Sequence, residues 1–194
     1  MTGSYIQDLT AGGLLLPETR TWLSIRGDKR LPDFDLWLEA LPTRSEATAK
    51  RYFQIIQNRL STIPEVALIP LKQAHGESFA LMMLLTTMQR TPLVKHCVKE
   101  LYCEAKRTYQ DALQRSSVTD VITQLCQTYA PESKVSENTF RKVETNLLRM
   151  FVESELVADA KQLKLLNVFA LPEVNDFASQ ANLTENLAIL ECRV

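Results

Sequence analysis

A seven-residue phrase occurs twice in this chain. Ser45-Glu46-Ala47-Thr48-Ala49-Lys50-Arg51 and Ser136-Glu137-Asn138-Thr139-Phe140-Arg141-Lys142 share a serine, a glutamate beside it, a threonine three positions on and two adjacent cations. Each copy opens an amphipathic stretch with Ser placed as the N-cap. The glutamate stands one position after the cap, whereas a capping box has it at the third. Hydroxyls and cations in the first two turns of a helix are the groups that meet a nucleic-acid backbone. In the first copy Arg44, Lys50 and Arg51 are candidates for phosphate contacts, and Ser45 and Thr48 for phosphate or base edges. The matching set in the second is Lys134, Ser136, Asn138, Thr139, Arg141 and Lys142, with Asn138 able to pair bidentately with adenine. The same residues would also serve a helix start that is simply capped and solvated. Repetition of the whole phrase tips the reading toward binding.

Other constellations offer less. His96, Glu100 and Cys103 fall at i, i+4 and i+7, a row that could ligate zinc or activate a thiolate. A zinc site needs more ligands, and only His75, Cys97, Cys126 and Cys192 remain. There is no glycine-rich phosphate loop, no G-x-S-x-G and no His-Glu-x-x-His. The carboxylate pairs Asp33/Asp35 and Glu153/Glu155 sit at turns and helix ends, where they cap or solvate. The expectation is a protein that is not an enzyme and holds neither metal nor cofactor.

The bulk properties confine the possibilities. The chain has 194 residues, is 45% hydrophobic and 23% charged, and carries a formal charge of −1. It is not a globally basic polyanion binder, so any electrostatic footprint is local. Residues 44 to 62 hold Arg44, Lys50, Arg51 and Arg59 against Glu46 alone. Residues 91 to 115 hold Lys95, Lys99, Lys106, Arg107 and Arg115 against three acids. No cysteines are paired as Cys-x-x-Cys, no cationic region precedes an apolar run at the N-terminus, and no apolar run would span a bilayer. These features predict a reduced, cytoplasmic protein with no membrane partner.

The elements that must position the two phrases read as mostly α. An arm over 5–13 leads into a helix to about Arg26, and a short helix runs from Phe34 to Ala40. The first phrase then opens a helix from Ser45 to Ser61 whose stripe is Ala49, Tyr52, Phe53, Ile56 and Leu60. A short helix over 66–74 precedes an almost wholly apolar one over 77–89, expected to be central, and another runs from Pro92 to about Arg107. A helix capped by Ser117 or Thr119 ends at Tyr129, and Ala130 to Val135 is a turn. The second phrase opens a helix from Ser136 to Glu153. After it, 156–158 and 165–171 read as two short strands forming a wing, and the tail as helix or strand. The predicted architecture is a helical bundle with two helix-turn-helix-like modules, the C-terminal one winged by a short β-hairpin. Its divisions are an N-terminal module over 1–62, a central helical core over 63–116 and a C-terminal module over 117–194.

The run Tyr5-Ile6-Gln7-Asp8-Leu9-Thr10-Ala11-Gly12-Gly13-Leu14-Leu15-Leu16-Pro17-Glu18-Thr19-Arg20, with the segment from Arg44 to Arg51 and the later Asn58-Arg59-Leu60, resembles the BrxA family of BREX (bacteriophage exclusion) defence islands. Ser136-x-x-Thr139 and the stretch from Leu148 to Val157 are similar to the pattern of that family, although Val135 stands where the pattern has a tryptophan. The resemblance implies a cytoplasmic, non-enzymatic subunit with winged helix-turn-helix elements that binds double-stranded DNA and works beside other BREX subunits. Two alternatives stay open on the residues alone, a helical RNA-binding module and a scaffold for other defence subunits. Base preference and oligomeric state are not legible.

Overall fold

The computed structural model describes residues 8–27, 31–42, 45–129 and 136–193. Helices make up most of them, and one hydrophobic cluster runs from Leu9 to Leu190.

Three helices open the chain. Helix α1, Leu16–Arg26, has Pro17 in its first turn and stops at Gly27, whose φ of 54° suits a residue without a Cβ. Helix α2, Phe34–Glu39, is capped by Asp33, whose carboxylate accepts from Asp35 N at 2.9 Å and Leu36 N at 3.3 Å. Helix α3, Glu46–Leu60, carries the first phrase. An aromatic knot joins the three: Phe53 of α3 meets both Phe34 and Trp37 of α2 edge-on at 5.3 Å and tilts against Trp22 of α1 at 6.4 Å.

A 3-10 turn, Glu65–Ala67, and α4, Leu68–Gln73, lead to α5, Gly76–Arg90. As the uninterrupted apolar run predicts, α5 is central: every residue from Ser78 to Met88 is buried. Thr86 and Thr87 are tolerated there because their hydroxyls donate to Met82 O and Met83 O at 2.8 and 2.7 Å. Helix α6 starts at Pro92–Cys97, passes through a π-helical stretch, Val98–Cys103, and ends with Glu104–Arg107.

The remaining chain contains α7, Arg115–Tyr129, which begins ahead of the expected caps Ser117 and Thr119, and α8, Glu137–Glu153, which carries the second phrase. The expected wing is corrected. Among the described residues there are no strands; the segments over 156–158 and 165–171 meet through one isolated antiparallel bridge, and a second joins Ala112 to Lys164. The first pairs Val157 with Leu165. Ala158 N donates to Lys164 O at 2.8 Å, Leu166 N to Leu156 O at 3.0 Å, and Leu165 N to Asp111 O at 2.9 Å. Leucine and lysine are modest strand formers. Positive φ at Glu155 and Leu163 also bends the chain out of the extended region on either side of the ladder. Residues 166–171, the rest of the expected second strand, are irregular, and the tail forms two helices: α9, Pro172–Gln180, and α10, Thr184–Leu190.

Candidate nucleic-acid interface

The two phrases fold into the same local structure. Ser45 and Ser136 are N-caps with nearly equal backbone angles, φ −64° and ψ 143° against φ −63° and ψ 151°. Each Ser Oγ accepts from the backbone N–H of the threonine three residues on, Thr48 at 3.3 Å and Thr139 at 3.2 Å. Each also lies 2.9 Å from that threonine's hydroxyl. The threonine stands at the third position, where a capping box has Glu or Gln, but its hydroxyl bonds the serine Oγ rather than the serine backbone N–H. The glutamate has a different partner. Glu46 pairs with Lys50 at 2.5 Å and Glu137 with Arg141 at 2.6 Å, both at i, i+4. That spacing was visible in the sequence as a helix-surface ion pair, and it was missed.

The pairs are exposed, with side chains between 63 and 78% accessible, so water screens them and the cations still reach solvent. The Lys50 bond holds the Glu46 carboxyl below its usual range, and the Glu46 carboxylate raises Lys50 in return. Of the remaining candidates, Ser45, Ser136, Asn138 and Lys142 are exposed, and Thr48 and Thr139 are half-buried. Arg51 is exposed and donates from Nη2 to Thr10 Oγ1. Arg44 and Lys134 lie outside the described residues, as does Val135.

Several cations of the two basic stretches serve the fold. Arg59 is 0% exposed. Its Nη1 donates to Gly13 O at 3.2 Å and Leu14 O at 3.0 Å, and its Nη2 to Gly13 O at 3.2 Å. Desolvation lowers its pKa to about 10, opposed by the charges of Asp8 and Glu153, so it stays a cation at neutral pH. Lys95 pairs with Glu185 at 2.7 Å, Arg107 with Glu104 at 3.5 Å and Arg115 with Glu144 at 3.2 Å, and Lys106 donates to Asn167 Oδ1. Of the three ion-paired cations, Lys95 is the least exposed, while Arg107 and Arg115 stay open to water much as the phrase cations do.

The residues around Arg59 are ones that periodicity could not find. The segment from Asp8 to Leu15 lies between α3 and α8. Leu14 N donates to Glu153 Oε2 at 2.6 Å, and Asn146 Nδ2 donates to Leu9 O at 2.6 Å. Asp8 is held near Arg90 at 3.7 Å; burial raises its carboxyl, against the lowering pull of Arg59, Arg90 and Arg51. A Cβ added at Gly13 would stand 2.3 Å from Glu153 Oε2, so glycine lets the backbone approach the carboxylate.

The row His96, Glu100 and Cys103 is dispersed. His96 is half-buried, Glu100 exposed, and Cys103 buried with its thiol donating to Ile189 O at 2.9 Å. The π-helical turn between them breaks the 3.6-residue register on which the row depended. Burial pushes the Cys97 and Cys103 thiols well up, away from the reactive thiolate. Among the described residues no group of three or more His, Cys, Asp or Glu could hold a metal ion. No helix among them is long and apolar enough to cross a membrane.

The sequence pattern that describes BrxA matches residues 3–182, nearly the whole chain. The chain belongs to the BrxA family. It is 23% identical over 194 residues to the BREX protein BrxA of Escherichia coli O9:H4 (strain HS), covering 97% of this chain and 90% of that one. Its fold is that of an uncharacterized protein from Magnetospirillum magneticum whose crystal structure superposes with a TM-score of 0.77 at 20% identity, over 96% of this BrxA-family chain and 97% of the other.

Proposed function

We propose that this chain is a non-enzymatic, double-stranded DNA-binding accessory protein of a bacterial BREX phage-defence system, working in the cytoplasm beside other BREX subunits. The observation that carries the reading is the pair of matching helix starts, each capped by serine and each presenting exposed cations over its first two turns. Positive helix ends and nearby cations favour phosphate. The order of elements from α6 onward supports it further: helix, the bridged residues around Ala112, α7, α8, and the bridged turn from Leu156 to Leu166. That is the order of a winged helix-turn-helix, with α8 in the place of the recognition helix and the bridged turn as a reduced wing.

With few phosphates neutralised, affinity is modest and falls steeply with salt. Changing Lys50 and Arg51 together to Glu is expected to weaken duplex binding about tenfold or more at low salt, with the helical circular dichroism unchanged. Fluorescence anisotropy on a labelled duplex at two ionic strengths measures it, and competition with duplex RNA and single strands distinguishes an RNA-binding module. Unchanged affinity would remove the first helix start from the interface.

A docking role toward other subunits has one observation of its own. Leu31, Val66 and Ile69 are 45 to 60% exposed and line two adjoining clefts that share the Arg26–Glu65 ion pair. Capture of a defence subunit that is lost on Ile69→Asp, with duplex binding intact, would establish that surface.

A further inference from the structure

The direction of α3 and α8 relative to the segment between them says more than that both have basic starts. On α3, Arg51 bonds Thr10, the Tyr52 hydroxyl lies by Gly12, and Arg59 bonds Gly13 and Leu14. On α8, Asn146 bonds Leu9, and Glu153 bonds Leu14 and abuts Gly13. Both helices therefore descend the segment in the same sense, with early helix residues at its beginning and late ones at its end. Arg51 to Arg59 covers about 12 Å of helix and Asn146 to Glu153 about 10 Å, so the alignment extends over several turns. Ser45 lies about 9 Å ahead of Arg51 and Ser136 about 15 Å ahead of Asn146. The two capped starts thus project from the same end of the molecule.

Resting on the DNA-binding reading above, we infer that the Asp8–Leu15 segment is a spacer that sets both starts against one duplex, as a single bivalent surface. The separation is right for this. Two packed helices lie about 8–10 Å apart, and an interposed segment adds roughly 5–10 Å. The starts are then closer than one helical turn of duplex, about 34 Å. When one start sits at a groove, the other meets phosphates of the same turn. A rigid spacer turns the second contact into an intramolecular event at high effective concentration. Its rigidity comes from the buried Arg59 on two carbonyls from one side, and from the partly buried Glu153, also paired with Arg149, on the Leu14 N–H from the other. Glu153 and Asn146 are positioning residues in this scheme, acting through the segment.

The full chain would be titrated with a 20-base-pair duplex, with stoichiometry read by analytical ultracentrifugation and affinity by anisotropy across a salt series. The expected result is one duplex per chain. Lys50→Glu with Arg51→Glu, and separately Arg141→Glu with Lys142→Glu, should each weaken that one event at least tenfold and reduce the salt slope by about 2. Asn146→Ala and Glu153→Gln should lower affinity severalfold with the slope kept, since the phosphate contacts remain and only their alignment is lost. Should Glu153→Gln unfold the chain, Asn146→Ala carries this arm, because it removes a single bond to Leu9 O. Two duplexes per chain, a reversal at one start without effect, or folded spacer variants with wild-type affinity would each overturn the bivalent surface while leaving DNA binding in place. A wild-type chain that binds no duplex would remove both.

Discussion

Helices α3 and α8 begin alike and end as opposites. At their starts, serine cap, threonine, glutamate and the cation four residues after it repeat down to tenths of an ångström. At their far ends, α3 brings a buried arginine to Gly13 and Leu14, and α8 brings a carboxylate to the same two residues. The difference separates two roles. Alike ends face water and keep their charges available, whereas opposite ends complete each other across one short segment of backbone. The arginine is wholly buried, whereas the carboxylate is partly exposed and also pairs with Arg149 at 2.8 Å, so the joint leans more on Arg59.

The comparison is broken most severely at Arg59. Arg59→Met removes the donors to two buried carbonyls and one of the cations facing Asp8 and Glu153, which keep Arg90 and Arg149 respectively. A loss of about 2–5 kcal/mol is expected for two buried carbonyls left without donors, read as a lower urea midpoint with an unchanged slope. Gly13→Ala tests the other side of the joint. The new methyl must displace the Glu153 carboxylate from the Leu14 N–H, and a loss of about 1–3 kcal/mol should appear in the same titration. The starts sharpen the comparison. Ser45→Ala and Ser136→Ala should each cost about 1 kcal/mol, and values that differ by much more than the error would show that the caps are not equivalent. The smallest effect concerns the intrahelical pairs. Glu46→Gln and Glu137→Gln should leave thermal stability unchanged and raise duplex affinity about two- to threefold, since each removes a negative charge beside a phosphate-binding cation. Anisotropy at low salt reads it, and equal gains in the two variants are expected.

The starts were legible because their cause is local. A serine ahead of an apolar stripe caps a helix wherever the stripe is buried, and α3 and α8 begin within one residue of where the spacing put them. The central position of α5 followed from its apolar run in the same way. The joint was illegible because its parts are far apart in the chain: Leu14 and Glu153 are separated by 139 positions. Arg59 read as one more exposed cation, since its spacing on α3 says which face it occupies and nothing about what covers that face. The phrases on which the BrxA resemblance rested, from Asp8 to Gly13, around Arg59 and around Glu153, are largely the parts of this joint. The wing was overread for a related reason. Whether the apolar run from Leu165 becomes a strand depends on partners at Asp111 and Leu156 that the local sequence does not announce.

The π-helical stretch in α6 has its own consequence. A turn wound with five-residue bonds takes up about one residue more than an ordinary turn, which rotates everything after it by roughly 100° about the helix axis. Tyr102 and Cys103 emerge from that widened turn to reach different targets, the Leu166 carbonyl at 2.9 Å and the Ile189 carbonyl at 2.9 Å. Excising one residue there would restore a regular coil and swing Lys106 away from Asn167. The helix would survive intact, and the bridged turn after α8 would lose two of its moorings at once.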